Sequence, residues 1–215
     1  MSTLALRQNV ARRTALLVIT LLFLLPVAWL ISTAWKASDD IFSIPPGLAF
    51  TPSLDQFRSV FAYFDVWSLL RSSIVISGGT VVLSLLFGVP AGYALARSRS
   101  RAAIGFAYFF LAIRMVPAVA ALIPFYLMMR DIGLLGTWWS VIIINTMLNC
   151  AFVTWMMFSY FRAMPRDLEE AAMTDGCTQM GSFLKVAIPS ARSGIIASVL
   201  FCVMFPGTTF SIRCS

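Results

Sequence analysis

Few residues in this sequence could carry chemistry. Histidine is absent, and the four cysteines, Cys150, Cys177, Cys202 and Cys214, contain no C-x-x-C pair. Zinc sites, disulfide frameworks, Ser-His relays and haem ligation by histidine therefore have no support. No nucleophile stands beside a base, so the chain reads as a non-enzyme that needs no cofactor. What remains is a small set of polar groups in apolar surroundings. Arg114 lies inside a long apolar run, three residues before Pro117. A charge there is costly in lipid unless it is paired or meets water, and the proline removes a backbone donor. Arg114 thus lines or gates a polar pathway, or it pairs with a neighbouring carbonyl for packing. Asn145 and Asn149 are four residues apart and share one helix face, where amides contact a polar solute or bond a neighbouring helix.

The elements that hold these groups follow from composition. Hydrophobic residues make up 60% of the chain and charged residues 12%, against about 25% charged in a soluble domain. The net charge of +7 does not indicate nucleic acid, because the bases sit in small groups between apolar runs. A bilayer core needs about 20 apolar residues of helix. Four stretches meet this: residues 14–35, 69–96, 102–129 and 138–161. The third should be broken or kinked by its prolines where it lines protein or water. Arg12 and Arg13 before the first stretch suggest a secretory signal, but its apolar core is too long and no small-residue cleavage site follows. It reads as an uncleaved anchor.

With the N-terminus inside, Arg7, Arg12, Arg13, Arg97, Arg99, Arg101, Arg162, Arg166, Lys185 and Arg192 are cytoplasmic. Only Lys36, Arg58, Arg71 and Arg130 then lie outside, a positive-inside bias of ten to four. The loop between the first two spans carries Pro45-Pro46, which forces an extended course, and a short helix is expected from Asp55 to Tyr63. Gly88, Pro90 and Gly92 mark a bend or a close helix approach, and Trp138 and Trp139 suit a membrane interface. The whole reads as one all-α polytopic membrane domain.

The segment from residue 162 to 194 is charged and too short to span. Pro165 and the acids Asp167, Glu169 and Glu170 favour the start of a helix, and Asp175-Gly176 its end. A second short helix is expected to begin at a Thr178 cap, to carry Met180, Phe183 and Leu184 on one side, and to stop at Pro189. This hairpin either docks a partner, with Ala171-Ala172 allowing close approach, or is an ordinary connector in the interface.

Glu170-Ala171-Ala172, Asp175-Gly176, Phe183 and Ile188-Pro189 resemble the coupling loop of permease subunits in bacterial ATP-binding-cassette (ABC) importers. Ser32 to Lys36, Pro45-Pro46, Gly92 to Arg97, Arg114 to Pro117 and Gly133 to Thr137 extend the resemblance to the carbohydrate branch with the maltose-type inner subunit. It covers residues 14 to 205, and Ala191-Arg192-Ser193-Gly194 departs from it where the family often has Pro before Gly. The resemblance implies a type I importer bundle in the bacterial inner membrane. Its implied partners are an ATPase dimer, a second permease subunit, an extracytoplasmic solute-binding protein, and a sugar or polyol. It also implies an ATPase-docking set of Glu169, Glu170, Ala171, Ala172, Asp175, Gly176, Phe183 and Pro189, with the turn at Gly176 and an anchor at Phe183.

Two expectations concern the C-terminal part. The apolar stretch 195–205 covers about 17 Å at 1.5 Å per residue, a partial fifth span, and the sixth span of the resembling family is missing. Codons for the tail from Pro206, read one register over, can encode Trp-Asn-Asp-Phe followed by apolar residues, which suggests a frameshift and a chain inactive in transport. Two rival functions come from other classes. A secondary transporter or channel would use carboxylates within its spans, and every acid here falls outside them. A membrane scaffold would not need a docking hairpin.

Overall fold

The structure, a computed structural model, describes residues 2–41, 50–115 and 118–204. Pro45-Pro46, Val116-Pro117 and the tail from Phe205 lie outside the described residues. Contacts gather the chain into two compact units, Met1–Ser68 and Leu69–Ser215.

The first unit holds α1 (Ser2–Ala34), α2 (Ser38–Ile41) and α3 (Asp55–Tyr63). Residues Arg12–Ala34 are long and apolar enough to cross a membrane. The side chains from Leu16 to Leu30 are exposed on every face, so lipid or another chain is their expected environment. After α1 the chain turns back on itself. Ser53 N–H donates to the Trp35 carbonyl at 2.9 Å, and the Trp35 and Phe57 rings meet edge-on at 6.0 Å. Lys36 is buried with its ammonium 4.7 Å from the Trp29 ring and 5.1 Å from that of Phe50. Aromatic faces stabilise a cation in this position. α3 starts where Ser53 Oγ accepts from Asp55 N–H at 3.0 Å.

The second unit is built on α4 (Val66–Arg97), a 32-residue helix, and α7 (Trp138–Ala163). Both have the length and apolarity of a span. Between them, α5 (Arg101–Ile113) and α6 (Ala118–Asp131) replace the single stretch expected over 102–129. The break falls directly after Ile113, where Arg114 and Met115 form a turn. Pro124 is accommodated inside α6.

α4 meets α7 along small residues. Its buried face runs Ser72, Ile76, Thr80, Ser84, Gly88, Gly92 and Ala96, one residue in four, while Ile74, Val82, Leu86 and Phe87 point outward. In lipid no hydrophobic force pulls helices together, so close packing of small residues does this work. Gly88 and Gly92 are the tightest points. A Cβ on Gly92 would lie 2.8 Å from the Thr154 carbonyl oxygen and from the Phe158 nitrogen, both backbone atoms that cannot rotate away.

Beyond α7 come α8 (Asp167–Thr174), α9 (Gln179–Ser182), a π-helical turn (Phe183–Ala187), α10 (Ile188–Ser190) and α11 (Arg192–Met204). α8 ends at Asp175, and Gly176 takes φ +90°, the left-handed turn expected of it. Thr178 caps the second leg, its Oγ1 accepting from Gly181 N–H at 3.1 Å. The leg ends at Ser190, one residue past Pro189, where the sequence expectation placed its stop. The π turn just before the proline widens the helix by one residue, which accommodates a position lacking an N–H. The break comes at Ala191, where Gln179–Ser190 and Arg192–Met204 meet at 73°. The core lies where this bend, α4, α5 and α7 converge, around Tyr93, Ala107, Met157, Phe161, Phe183 and Cys202.

The glycine contact is directly testable. Gly92→Ala should cost about 1–3 kcal/mol by overpacking. Gly78→Ala, whose Cβ meets nothing within 4 Å, should be neutral or stabilising by about 0.5–1 kcal/mol. Thermal unfolding of the detergent-solubilised chain, followed by circular dichroism, distinguishes them; equal stability of the two variants would contradict the packing described.

Candidate functional site

The hairpin of α8 and α9–α10 is held to the helix ends by one buried carboxylate. Glu169 lies in the first turn of α8 and is 5% exposed. Arg97, the last residue of α4, donates to it from Nε at 3.0 and 3.1 Å and from Nη2 at 2.5 Å. Tyr93, one turn earlier on α4, donates its hydroxyl to Glu169 Oε2 at 2.8 Å. The remaining guanidinium nitrogen of Arg97 reaches the Phe161 carbonyl at 2.8 Å, which also accepts from Met164 N–H at the end of α7. A single arginine therefore joins the ends of α4 and α7 to the start of α8.

The second leg is held by packing. Phe183 lies between Tyr93, with ring centroids 4.5 Å apart, and Phe161 at 6.4 Å. Tyr93 and Phe161 are themselves edge to face at 5.3 Å. Ser182 Oγ donates to the Glu169 carbonyl at 3.4 Å, tying the two legs together.

This geometry divides the expected docking set. Glu169 and Phe183, at 5% and 6% exposed, face the interior of their own chain and cannot meet a partner's surface. Helix phase is the reason: Glu169 turns inward when Asp167, Glu170 and Ala171 turn outward. Glu170, Ala171, Asp175, Gly176 and Pro189 are exposed, and Ala172 is half-buried. Around them Leu168, Met173, Met180 and Leu184 present apolar side chains to the outside. Met180 and Leu184 do not share a side with Phe183, as the sequence reading had placed them.

The three pathway candidates are not brought together. Arg114 is half-buried at the end of α5, with its guanidinium 4.9 Å from the Phe152 ring. Asn145 and Asn149 are 5% and 2% exposed, inside the packing of α7. Asn145 Nδ2 donates to the Val141 carbonyl of its own helix at 2.9 Å. A cavity of about 540 Å³ is lined almost wholly by apolar side chains such as Leu83, Phe87, Phe110 and Ile143. Neither asparagine lines it.

Sequence reasoning missed Tyr93 and Arg97. Arg97 counted only as one of the inner bases and Tyr93 only as part of a resembling stretch. Their spacing of four, at the end of a long apolar helix, was the available signal: a polar aromatic and a cation on one face require a shared acceptor.

Long apolar helices, a bent helix pair and a charged hairpin are the features of a polytopic membrane protein. Within that class, the family described as the binding-protein-dependent transport system inner membrane component matches residues 84–212, and the chain belongs to it. The chain is 31% identical to the probable ABC transporter permease protein y4oR of Sinorhizobium fredii, over 92% of this chain and 74% of that one. It is 31% identical to the sulfoquinovosyl glycerol transport system permease protein SmoH of Agrobacterium fabrum, over 81% of this chain and 62% of that one. It is 32% identical to the trehalose transport system permease protein SugB of Mycobacterium tuberculosis, over 85% and 66%. The chain thus spans less than two thirds of the length of several curated relatives. A crystal structure of a bacterial ABC transporter involved in the import of the acidic polysaccharide alginate is similar at a TM-score of 0.69 and 26% identity, covering 96% of this chain and 72% of that one.

The ion pair yields a prediction. Glu169→Leu or Arg97→Met alone leaves a buried charge without its partner and should each cost about 3–5 kcal/mol. The double variant should cost well below the sum of the two, because it removes both charges. A double-mutant cycle by thermal unfolding in detergent measures this; strict additivity would mean that the two groups do not interact.

Proposed function

We propose that this chain is a permease subunit that carries a sugar or related polyol across the bacterial cytoplasmic membrane, driven by a separate ATPase dimer. The observation that carries the reading is the two-faced hairpin. Its inner face is bonded to the ends of α4 and α7 through Glu169 and Phe183, and its outer face leaves Leu168, Glu170, Met173, Met180 and Leu184 uncovered. A short charged element that is rigidly attached on one side and apolar on the other is suited to transmit a partner's movement.

In this reading the ATPase receives the outer face near Glu170 and Gly176. ATP binding closes the ATPase dimer, the hairpin moves with it, and the ends of α4 and α7 follow. The nucleotide biases the equilibrium only through its stronger binding to the closed state. A second permease subunit completes the pore, and a solute-binding protein delivers the substrate from outside. The N-terminus is cytoplasmic, in keeping with ten bases against four. A sugar or polyol follows from the substrates named for the trehalose and sulfoquinovosyl glycerol relatives. Among the three pathway candidates, Arg114 at the α5–α6 break keeps the exposure that a pathway-lining group needs, while Asn145 and Asn149 serve helix packing.

The test is co-purification with the ATPase subunit encoded nearest to this gene. Glu170→Lys and Gly176→Pro should each abolish capture: the first reverses a charge on the docking face, and the second places proline at a φ of +90° that it cannot adopt. In intact cells a membrane-impermeant thiol reagent should leave Cys177 unmodified and label it only after permeabilisation. Labelling of Cys177 without permeabilisation would put the hairpin outside and end this reading.

A further inference from the structure

A second polar feature lies beside the hairpin and shares only Arg97 with the ion pair. A cavity of about 220 Å³ opens at the junction of α4, α5 and the end of α7, and Arg97, Arg99, Arg101, Arg162 and Arg166 line it. Arg97 is paired with Glu169, and the other four arginines have no ion pair among the described residues. Arg166 contacts the Ala96 carbonyl at 3.5 Å, and Arg162 lies 5.5 Å from the Phe158 ring centre. Neither contact neutralises charge. Four like charges around one small cavity repel one another, and an anion placed among them relieves that repulsion.

The cavity is more than a charged surface. Leu95, Ile104 and Met164 line it beside the arginines. Guanidinium groups fit phosphate oxygens in pairs, and a basic cavity at the ends of membrane-spanning helices lies at the level of the lipid headgroups.

We propose that this cavity holds the phosphodiester headgroup of an anionic phospholipid. The proposal rests on the membrane location of the chain and not on its pairing with an ATPase. Arg99 and Arg101, at the mouth of the cavity and outside the Glu169 network, carry most of the selectivity.

The experiment uses the full purified chain in neutral detergent with an equimolar mixture of phosphatidylglycerol and phosphatidylcholine, and reads retained lipid by native mass spectrometry. The wild-type chain should retain phosphatidylglycerol preferentially. Retention should fall about fivefold for each arginine removed, as in Arg99→Gln and Arg101→Gln, and should largely return in Arg99→Lys with Arg101→Lys. Arg12→Gln with Arg13→Gln, which removes equal charge elsewhere, should leave it unchanged, and inorganic phosphate alone should not displace the lipid. Equal retention of the two lipids, an equal loss in the Arg12 and Arg13 variant, or displacement by phosphate would each overturn the proposal. Loss of ATPase capture in Arg99→Gln with Arg101→Gln, with lipid retention intact, would assign the cavity to a protein partner and overturn it as well. Because lipid retention is read on the chain alone, it succeeds or fails independently of the docking experiment.

Discussion

The arrangement depends on one buried ion pair, Arg97 with Glu169. α8 is an eight-residue helix, below the length at which a helix persists in water by itself. It keeps its place because the carboxylate in its first turn is held by three donors that α4 supplies through Tyr93 and Arg97. The interior that surrounds the pair strengthens each of these bonds and makes each one costly to lose. The fourth arm of the network, Arg97 to the Phe161 carbonyl, adds a side-chain donor to a group that already accepts from Met164 N–H at the end of α7. Removing one charge would therefore affect three helix ends together.

The pair can form only because α4 and α7 run very close. α4 ends at Arg97, five residues after Gly92, the point at which the two backbones nearly touch. A larger residue there would move the α4 backbone away and take Arg97 out of reach of Phe161 and Glu169. The stripe of small residues from Ser72 to Ala96 extends that contact along the helix, so the position of the charged end is set by packing well inside the apolar part. This is the reverse of a soluble helix, where large side chains face inward. Here the large ones face out, toward lipid or neighbouring subunits.

Much of this was legible in the sequence wherever a local rule governs. α3 has the expected bounds, α4 and α7 lie within three residues of theirs, and Gly176 forms the turn because few other residues adopt a positive φ. The break at Arg114 followed from the proline beyond it. Other features depend on tertiary context and could not be read in this way. Whether Glu169 or Glu170 turns inward depends on where α8 begins, and a shift of one residue exchanges them. Phe183 looks like an exposed anchor until Tyr93 and Phe161 are known to enclose it. Pro189 marks the end of the second leg to within one residue, but the π turn before it leaves no trace in composition. The bend at Ala191, from which α11 leaves at 73° with Gly194 against the Tyr160 ring, falls where the sequence has no proline.

That bend determines how force on the hairpin travels. One route is along the chain, from α10 through Ala191 into α11, and a 73° break gives it little stiffness. The other crosses from α8 to α4 through Glu169, Tyr93 and Arg97, and from the second leg to α7 through Phe183 and Phe161. Short charged bonds and close ring contacts in a packed core deform little, since such interiors have almost no free volume. A push on the outer face of the hairpin would therefore reach α4 and α7 as a nearly rigid displacement, and α11, packed on α7 through Gly194 and Phe201, would move with them. α4 and α7 are also the helices locked together at Gly88 and Gly92, so they receive that displacement as one body.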